Sequence, residues 1–139
     1  MKRMTPTKNL HLPISVTILT VFVLFMTFWY GIRIYSAIAN WQVLIEFGAS
    51  PVYILGTGIL WALAGMGLIV VFWQAKPYAP AVGSAAAGAY YAWYWLDRLV
   101  LQPAPAPNVL FSMIVSTLSL AVFIIILNIP ASKSFFNKE

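Results

Sequence analysis

The sequence predicts an all-α integral membrane protein, organised as a four-transmembrane-helix up-and-down bundle with its N and C termini cytoplasmic. Of the 139 residues, 62% are hydrophobic and only 8% are charged, whereas about a quarter of the residues of a soluble domain carry charge. The apolar residues form stretches of about 20 residues, the length that crosses the hydrocarbon core of a bilayer. We therefore expect a single transmembrane domain over residues 1–139, with the lipid bilayer as its first partner.

The first span is predicted at residues 12–34, after a polar and basic segment. This apolar stretch is longer than the roughly 7–15 residues of a secretory signal core, although residues 37–39 resemble a cleavage site. Apolar side chains then continue at helical spacing within residues 33–50. We expect a short interfacial helix after the first span, or a continuation of that span.

The second span is predicted at residues 52–73. Ser50 and Pro51 precede it and suit a helix start, as a capping residue and a first-turn proline. Within the span, small residues repeat at positions i, i+4 and i+7, namely Gly58, Ala62 and Gly65. In lipid, helices associate by close backbone approach at small residues, so we predict a helix-packing face here.

The third span, predicted at residues 80–102, is the one around which we expect the others to pack. Its first half is rich in small residues, and Ser84 and Gly88 are predicted to lie on its helix-packing face. Its second half is aromatic and ends in Asp97-Arg98, an adjacent acid–base pair at the end of an apolar stretch. A short proline-containing turn precedes it, which predicts an antiparallel neighbour in the second span.

The fourth span is predicted at residues 109–129. The proline-rich link at 102–108 cannot be helical throughout, and Asn108 at its end is predicted to cap the helix. Pro130 is predicted to end the span, because proline lacks the amide that helix propagation needs. We expect the residues from Ala131 to Glu139 to form a short polar tail.

The orientation follows from the basic residues. In a four-span arrangement only Arg33 and Arg98 lie on one side. The other side carries Lys2, Arg3, Lys8, Lys76, Lys133 and Lys138. The positive-inside rule then places both termini in the cytoplasm. We expect a multi-pass protein of the prokaryotic cytoplasmic (inner) membrane.

Asp97, Arg98 and Arg33 form the candidate polar site. Asp97 lies roughly 25 Å along the third span, near the outer edge of the hydrocarbon core, where an ionisable side chain normally has a partner. Arg33 is predicted at a similar depth and could pair with Asp97. The structural interpretation is an interhelical ion pair. The functional one is an outward-facing site for a substrate, proton or ion, and a third is contact with another subunit.

A dense aromatic segment forms a second candidate, an aromatic platform of Tyr90, Tyr91, Tyr94 and Trp95 beside Trp93. Such a density could stack against a planar quinone, carotenoid or chlorin. Interfacial anchoring and ordinary bundle packing are the preferred explanation. His11, the sole histidine, stands before the first span and is weak support for haem or chlorin ligation.

Catalytic patterns are missing from the sequence. There is no cysteine, which excludes thiolate nucleophiles and cysteine-ligated metal centres. Neither a Ser-His-Asp set nor a zinc-binding HExxH motif occurs, and the glycines at 56–67 precede no Lys-Ser/Thr pair. We therefore expect no enzyme activity, no cofactor, no metal and no nucleic-acid partner.

The expected function is non-catalytic and works through helix–helix contacts, as an accessory or assembly subunit of a membrane complex or as a small self-associating bundle. Its partners would be other membrane subunits or itself. One alternative is a small-solute or ion transporter or channel that uses the polar site. The other is a membrane protein that binds an isoprenoid or pigment on the aromatic platform.

Overall fold

The computed structural model describes residues 12–101 and 108–137, and their regular structure is helical throughout. The helices are α1 (Ile14–Ala39), α2 (Trp41–Glu46), α3 (Pro51–Trp73), α4 (Ala79–Leu96), α5 (Val109–Asn128) and α6 (Pro130–Phe136). A π-helical turn, Asp97–Leu101, extends α4. Three of these helices, α1, α3 and α5, are long and apolar enough to cross a membrane, which indicates a multi-pass, all-helical membrane protein. The fourth span stays a prediction, because the 18-residue α4 is not among the three.

The four long helices pack side by side: α1 against α3, α3 against α4, α4 against α5, and α5 back against α1. Glycines set the distance between α1 and α3. A methyl group placed on Gly58 would lie 2.9 Å from Ile34 Cγ1, and one on Gly65 would lie 3.2 Å from Thr27 Cβ. The pairing also shows that α1 and α3 run antiparallel. Close approach at glycine is how helices associate without a hydrophobic driving force.

Most of the predicted helix ends agree with the structure. Ser50 Oγ accepts a hydrogen bond from the Tyr53 amide at 3.3 Å, which confirms the predicted cap of α3. Gly48 ends α2 with a φ of 72°, a conformation that favours glycine. The predicted cap at Asn108 is wrong. The residue precedes α5, but its backbone is left-handed and its side chain makes no capping bond, since capping needs an extended backbone.

The region between the first two spans combines both expected alternatives. α1 continues past residue 34 to Ala39, and the six-residue α2 follows after a turn at Asn40. Asn40 donates a side-chain hydrogen bond to the Ser36 carbonyl at 3.0 Å, which secures the last turn of α1. An interfacial location for α2 stays a prediction.

The expected polar tail is wrong: residues 130–136 form α6, which docks into the protein. Pro130 forces Ile129 into an extended conformation that ends α5, and the chain turns back as a new helix. Phe135 and Phe136 are buried. Together these two rings bury enough apolar surface to hold this short helix in place. The buried Ser132 hydroxyl donates to the Ile126 carbonyl at 2.7 Å and is hydrogen-bonded to the Ser15 hydroxyl at 2.9 Å.

The buried core lies at one end of the molecule, which we call the closed end. It is formed by the start of α1, the end of α3, the start of α4, the end of α5 and α6. Its members are Val16, Leu19, Val23, Phe72, Ala79, Phe123, Leu127, Phe135 and Phe136. Lys76 and Lys133 lie at the same end. The opposite end, where α1 and α4 finish and α3 begins, is called the open end.

Candidate functional site

A cavity of about 310 Å³ lies between α1, α3, α4 and α5. All four helices contribute to its walls, which are mainly apolar and aromatic. Representative lining residues are Met26, Trp61, Leu68, Ala86, Tyr90 and Leu120. Small-molecule sites in proteins begin at about 300 Å³ and are mostly apolar with a few polar groups. We call this space the apolar cavity.

A second cavity of about 390 Å³ adjoins the apolar cavity on the side of the open end. The two share the side chains of Met26, Tyr30, Tyr90 and Tyr94 in their walls. The second cavity also carries charge, because Arg33 and Asp97 both line it. We call it the polar mouth. An apolar space with a charged entrance suits a molecule that is itself apolar at one end and polar at the other.

Asp97 is buried, with 7% of its surface exposed, and it begins the π-helical turn. The Tyr53 hydroxyl donates a hydrogen bond to Asp97 Oδ1 at 2.5 Å. Tyr53 lies in the first turn of α3, so this bond ties α3 to the end of α4. Sequence reasoning missed Tyr53. The signal was its position at the start of one span, at the same predicted depth as Asp97 at the end of the next.

Arg33 lies in α1 with its guanidinium 5.9 Å from the centroid of the Trp93 ring, an arrangement typical of a cation–π contact. Within residues 12–101 and 108–137, the guanidinium makes no hydrogen bond or ion pair. The expected ion pair with Asp97 is therefore not formed in this structure. Tyr53 bonds the carboxylate instead, and both charges line the polar mouth.

Arg98 follows Asp97 on the π-helical turn and reaches back one turn to Tyr94. Its NH1 donates to the Tyr94 hydroxyl at 3.4 Å, and its guanidinium lies 6.0 Å from the centroid of that ring. Tyr94 lines both cavities. A second cation therefore lies beside Tyr94, a side chain in the walls of both cavities.

The aromatic platform divides into two clusters. Tyr90 faces inward, where its hydroxyl accepts from Tyr30 at 3.0 Å and its ring meets Trp61 edge to face at 5.0 Å. The other cluster holds Tyr91, Tyr94 and Trp95, with ring pairs inclined at 65° and 83°. Because ring edges meet ring faces, the residues do not form one flat surface for stacking.

The residues predicted for helix packing lie in different surroundings. Gly58 and Gly65 meet α1 closely, whereas a methyl group on Gly88 would meet no atom within 4 Å. Ala62 and Ser84 are half-buried. The tightest glycine of α4 is Gly83, which is not among the residues predicted above. A methyl group on Gly83 would lie 2.7 Å from Leu127 Cδ2 and 3.3 Å from Phe72 Cζ.

No group of three His, Asp or Glu side chains that could hold a metal ion occurs within the described part of the chain, and His11 lies outside it. Comparison with protein-family models, with curated proteins and with solved structures gives no match in any of the three.

Proposed function

We propose that this is a non-catalytic, multi-pass membrane protein that binds an amphipathic small molecule. The apolar part of the ligand occupies the apolar cavity, and its polar part occupies the polar mouth. The observation that carries this proposal is the direct adjacency of the two cavities, which share four side chains in their walls. The lack of a catalytic residue set in the sequence supports binding without chemistry.

The size and lining of the apolar cavity support an occupant other than water. Protein interiors keep few voids larger than a water molecule. The apolar cavity is partly open to its surroundings, and its apolar walls favour an apolar molecule over water. The apolar cavity holds about 310 Å³ between walls such as Met26, Leu68 and Leu120. An apolar chain would recover the dispersion contacts that an empty cavity loses.

We also propose that α4 is a fourth span. Together with the π-helical turn it runs from residue 79 to 101, about 35 Å at the rise of an α-helix. It packs against α3 and α5, which are both long and apolar enough to span. With cytoplasmic termini, as the basic residues favour, the closed end lies inside and the polar mouth faces outward. A prokaryotic cytoplasmic membrane stays a prediction.

The packing at the closed end favours binding over transport. Phe72, Leu127 and Phe136 are completely or almost completely buried between the apolar cavity and the lysine-bearing face. A solute moving through the protein would have to displace them. A dead-ended site accessible from the polar mouth fits this packing better than a continuous path does.

The proposal can be tested by purifying the full-length protein in a mild detergent and extracting bound molecules for mass spectrometry. Ala86 lines the apolar cavity, whereas its neighbour Ala85 is exposed on the outer face of α4. We expect wild type and Ala85→Phe to retain a stoichiometric amphipathic molecule, and Ala86→Phe to lose it. Equal retention by both variants would show that the molecule binds outside the cavity.

A second candidate function, through helix–helix contacts, is favoured by the outer face of α4. Ala81, Ala85 and Ala89 are exposed there at intervals of four residues, the spacing at which small residues mediate helix association in lipid. The partner would be a transmembrane helix of a second copy or of a larger complex, for which this chain would be an accessory subunit.

The chain has no cysteine. Disulfide cross-linking of single-cysteine variants of the protein in membranes therefore reports this contact directly. We expect Ala85→Cys to form a disulfide-linked species, and Leu118→Cys, exposed on α5, to form none. Equal cross-linking at both positions would indicate random collision.

A further inference from the structure

We infer that the polar mouth recognises a carboxylate, so that the ligand is a long-chain, single-tailed carboxylic acid anchored by Arg33. This inference rests on the proposed function and adds the chemical class of the head group. It follows from the donors of Arg33, from the charges around the mouth and from the shape of the aromatic walls.

Arg33 offers donors that no described residue fills. Its guanidinium lies on the wall of the polar mouth over the Trp93 ring, without a hydrogen bond or ion pair in residues 12–101 and 108–137. A guanidinium presents its N–H groups as a planar fork, and a carboxylate accepts two of them in parallel. Of the common lipid head groups, alcohols and amines cannot make this paired contact.

The charges around the polar mouth also favour a single negative charge. Arg33 and Arg98 are cationic, and Asp97 is the one acidic side chain in the mouth among the described residues. Glu46 is exposed on α2. A charged side chain near a bilayer core normally has a partner, and a monoanionic head group would supply one for Arg33. Asp97 accepts from Tyr53 at the same site and would repel a more highly charged group.

The aromatic walls favour a flexible chain over a flat ring system. Tyr90 and Trp61, which both line the apolar cavity, meet at an interplanar angle of 87°, and Trp93 in the wall of the polar mouth is tilted by 45° to Tyr90. These neighbouring rings are not parallel, so together they offer no single flat face on which a planar ligand could stack. An alkyl chain can follow the irregular space between these rings and the aliphatic side chains of the apolar cavity.

Quenching of tryptophan fluorescence by brominated ligands tests the inference on the full-length protein in detergent. Three probes share one dibrominated stearyl chain and differ in the head group, which is an acid, an alcohol or an amine. Trp61 lines the apolar cavity, and the loss of quenching in Trp61→Phe assigns the signal to it. We expect the acid to bind about tenfold more tightly than the alcohol, as a charge-assisted contact would give, and the amine to bind most weakly.

Arg33→Gln should bring the affinity for the acid down to that for the alcohol, and Arg33→Lys should retain part of the preference. Lys133→Gln, an equal change of charge on an exposed residue of the closed end, should leave the preference intact. If wild type binds the acid and the alcohol with equal affinity and Ala86→Phe abolishes both, recognition of a carboxylate is wrong, whereas ligand binding in the cavity stands. Quenching that Ala86→Phe does not change would overturn the proposed function itself. If Arg33→Gln fails to fold, the affinities of wild type for the three probes still test the preference for a carboxylate.

Discussion

At the closed end, Phe72, Leu127 and Phe136 are sealed from solvent and pack on one another. Between this core and the open end, the same helices leave two adjoining cavities, and the wall of the polar mouth includes Arg33 and Asp97. The difference arises from what fills the space between the helices. α6 folds back and inserts its phenylalanines at one end, whereas at the other end bulky rings meet edge to face and leave gaps. One end is therefore closely packed, and the rest of the bundle leaves space between its helices.

The largest effect should come from removing a ring at the closed end. We expect Phe72→Ala to destabilise the protein by about 3 kcal/mol, because a fully buried side chain would leave a cavity. Its neighbour Trp73 is 76% exposed, so Trp73→Ala should have little effect. Thermal unfolding in detergent measures both variants. Similar losses would mean that the closed end is not the stabilising core.

A substitution at the contact between α1 and α3 should give the next largest loss of stability. This contact lies between the two ends of the molecule. A methyl group on Gly65 would overlap the Thr27 side chain, whose hydroxyl donates to the Val23 carbonyl at 2.8 Å. We expect Gly65→Ala to cost about 2 kcal/mol by overpacking. Gly67→Ala projects into open space and should be neutral in the same unfolding assay. If Gly65→Ala leaves stability unchanged, α1 and α3 are farther apart than the structure places them.

A smaller effect is expected at the open end, where hydrogen bonding replaces packing. Tyr53→Phe removes the donor to Asp97 and should cost about 1.5 kcal/mol, as for a bond to a charged acceptor. Tyr35→Phe, at a site that is 73% exposed, serves as the control. Unchanged stability of Tyr53→Phe in detergent unfolding would show that another group takes over the carboxylate.

The smallest effect should come from the polar contact that holds α6 in place. Ser132→Ala removes the bonds to Ile126 and Ser15 and should cost about 1 kcal/mol. Ser134 is exposed on the same helix, and Ser134→Ala should leave the unfolding midpoint where it is in wild type. If the two variants behave alike, the phenylalanines alone dock α6.

Several features of the site could be predicted from the sequence because they depend on local chemistry. A charged pair at the end of an apolar span marks a place where a partner is needed, and Asp97 is indeed buried with a hydrogen-bonding partner. The identity of that partner could not be predicted. It depends on how far each helix is rotated, and a rotation of one residue, about 100°, exchanges the side chains that face a neighbour.

By itself, the sequence determined where α3 begins, at Ser50, and that α1, α3 and α5 are apolar enough to cross a membrane. These properties follow from backbone hydrogen bonding and side-chain polarity along a short stretch of chain. Only the tertiary structure decided that α6 closes one end and that Tyr53 holds Asp97. It also decided that the aromatic rings leave a cavity beside Arg33. Those outcomes follow from the rotation and spacing of helices that are distant in sequence, fixed by contacts such as Gly65 with Thr27.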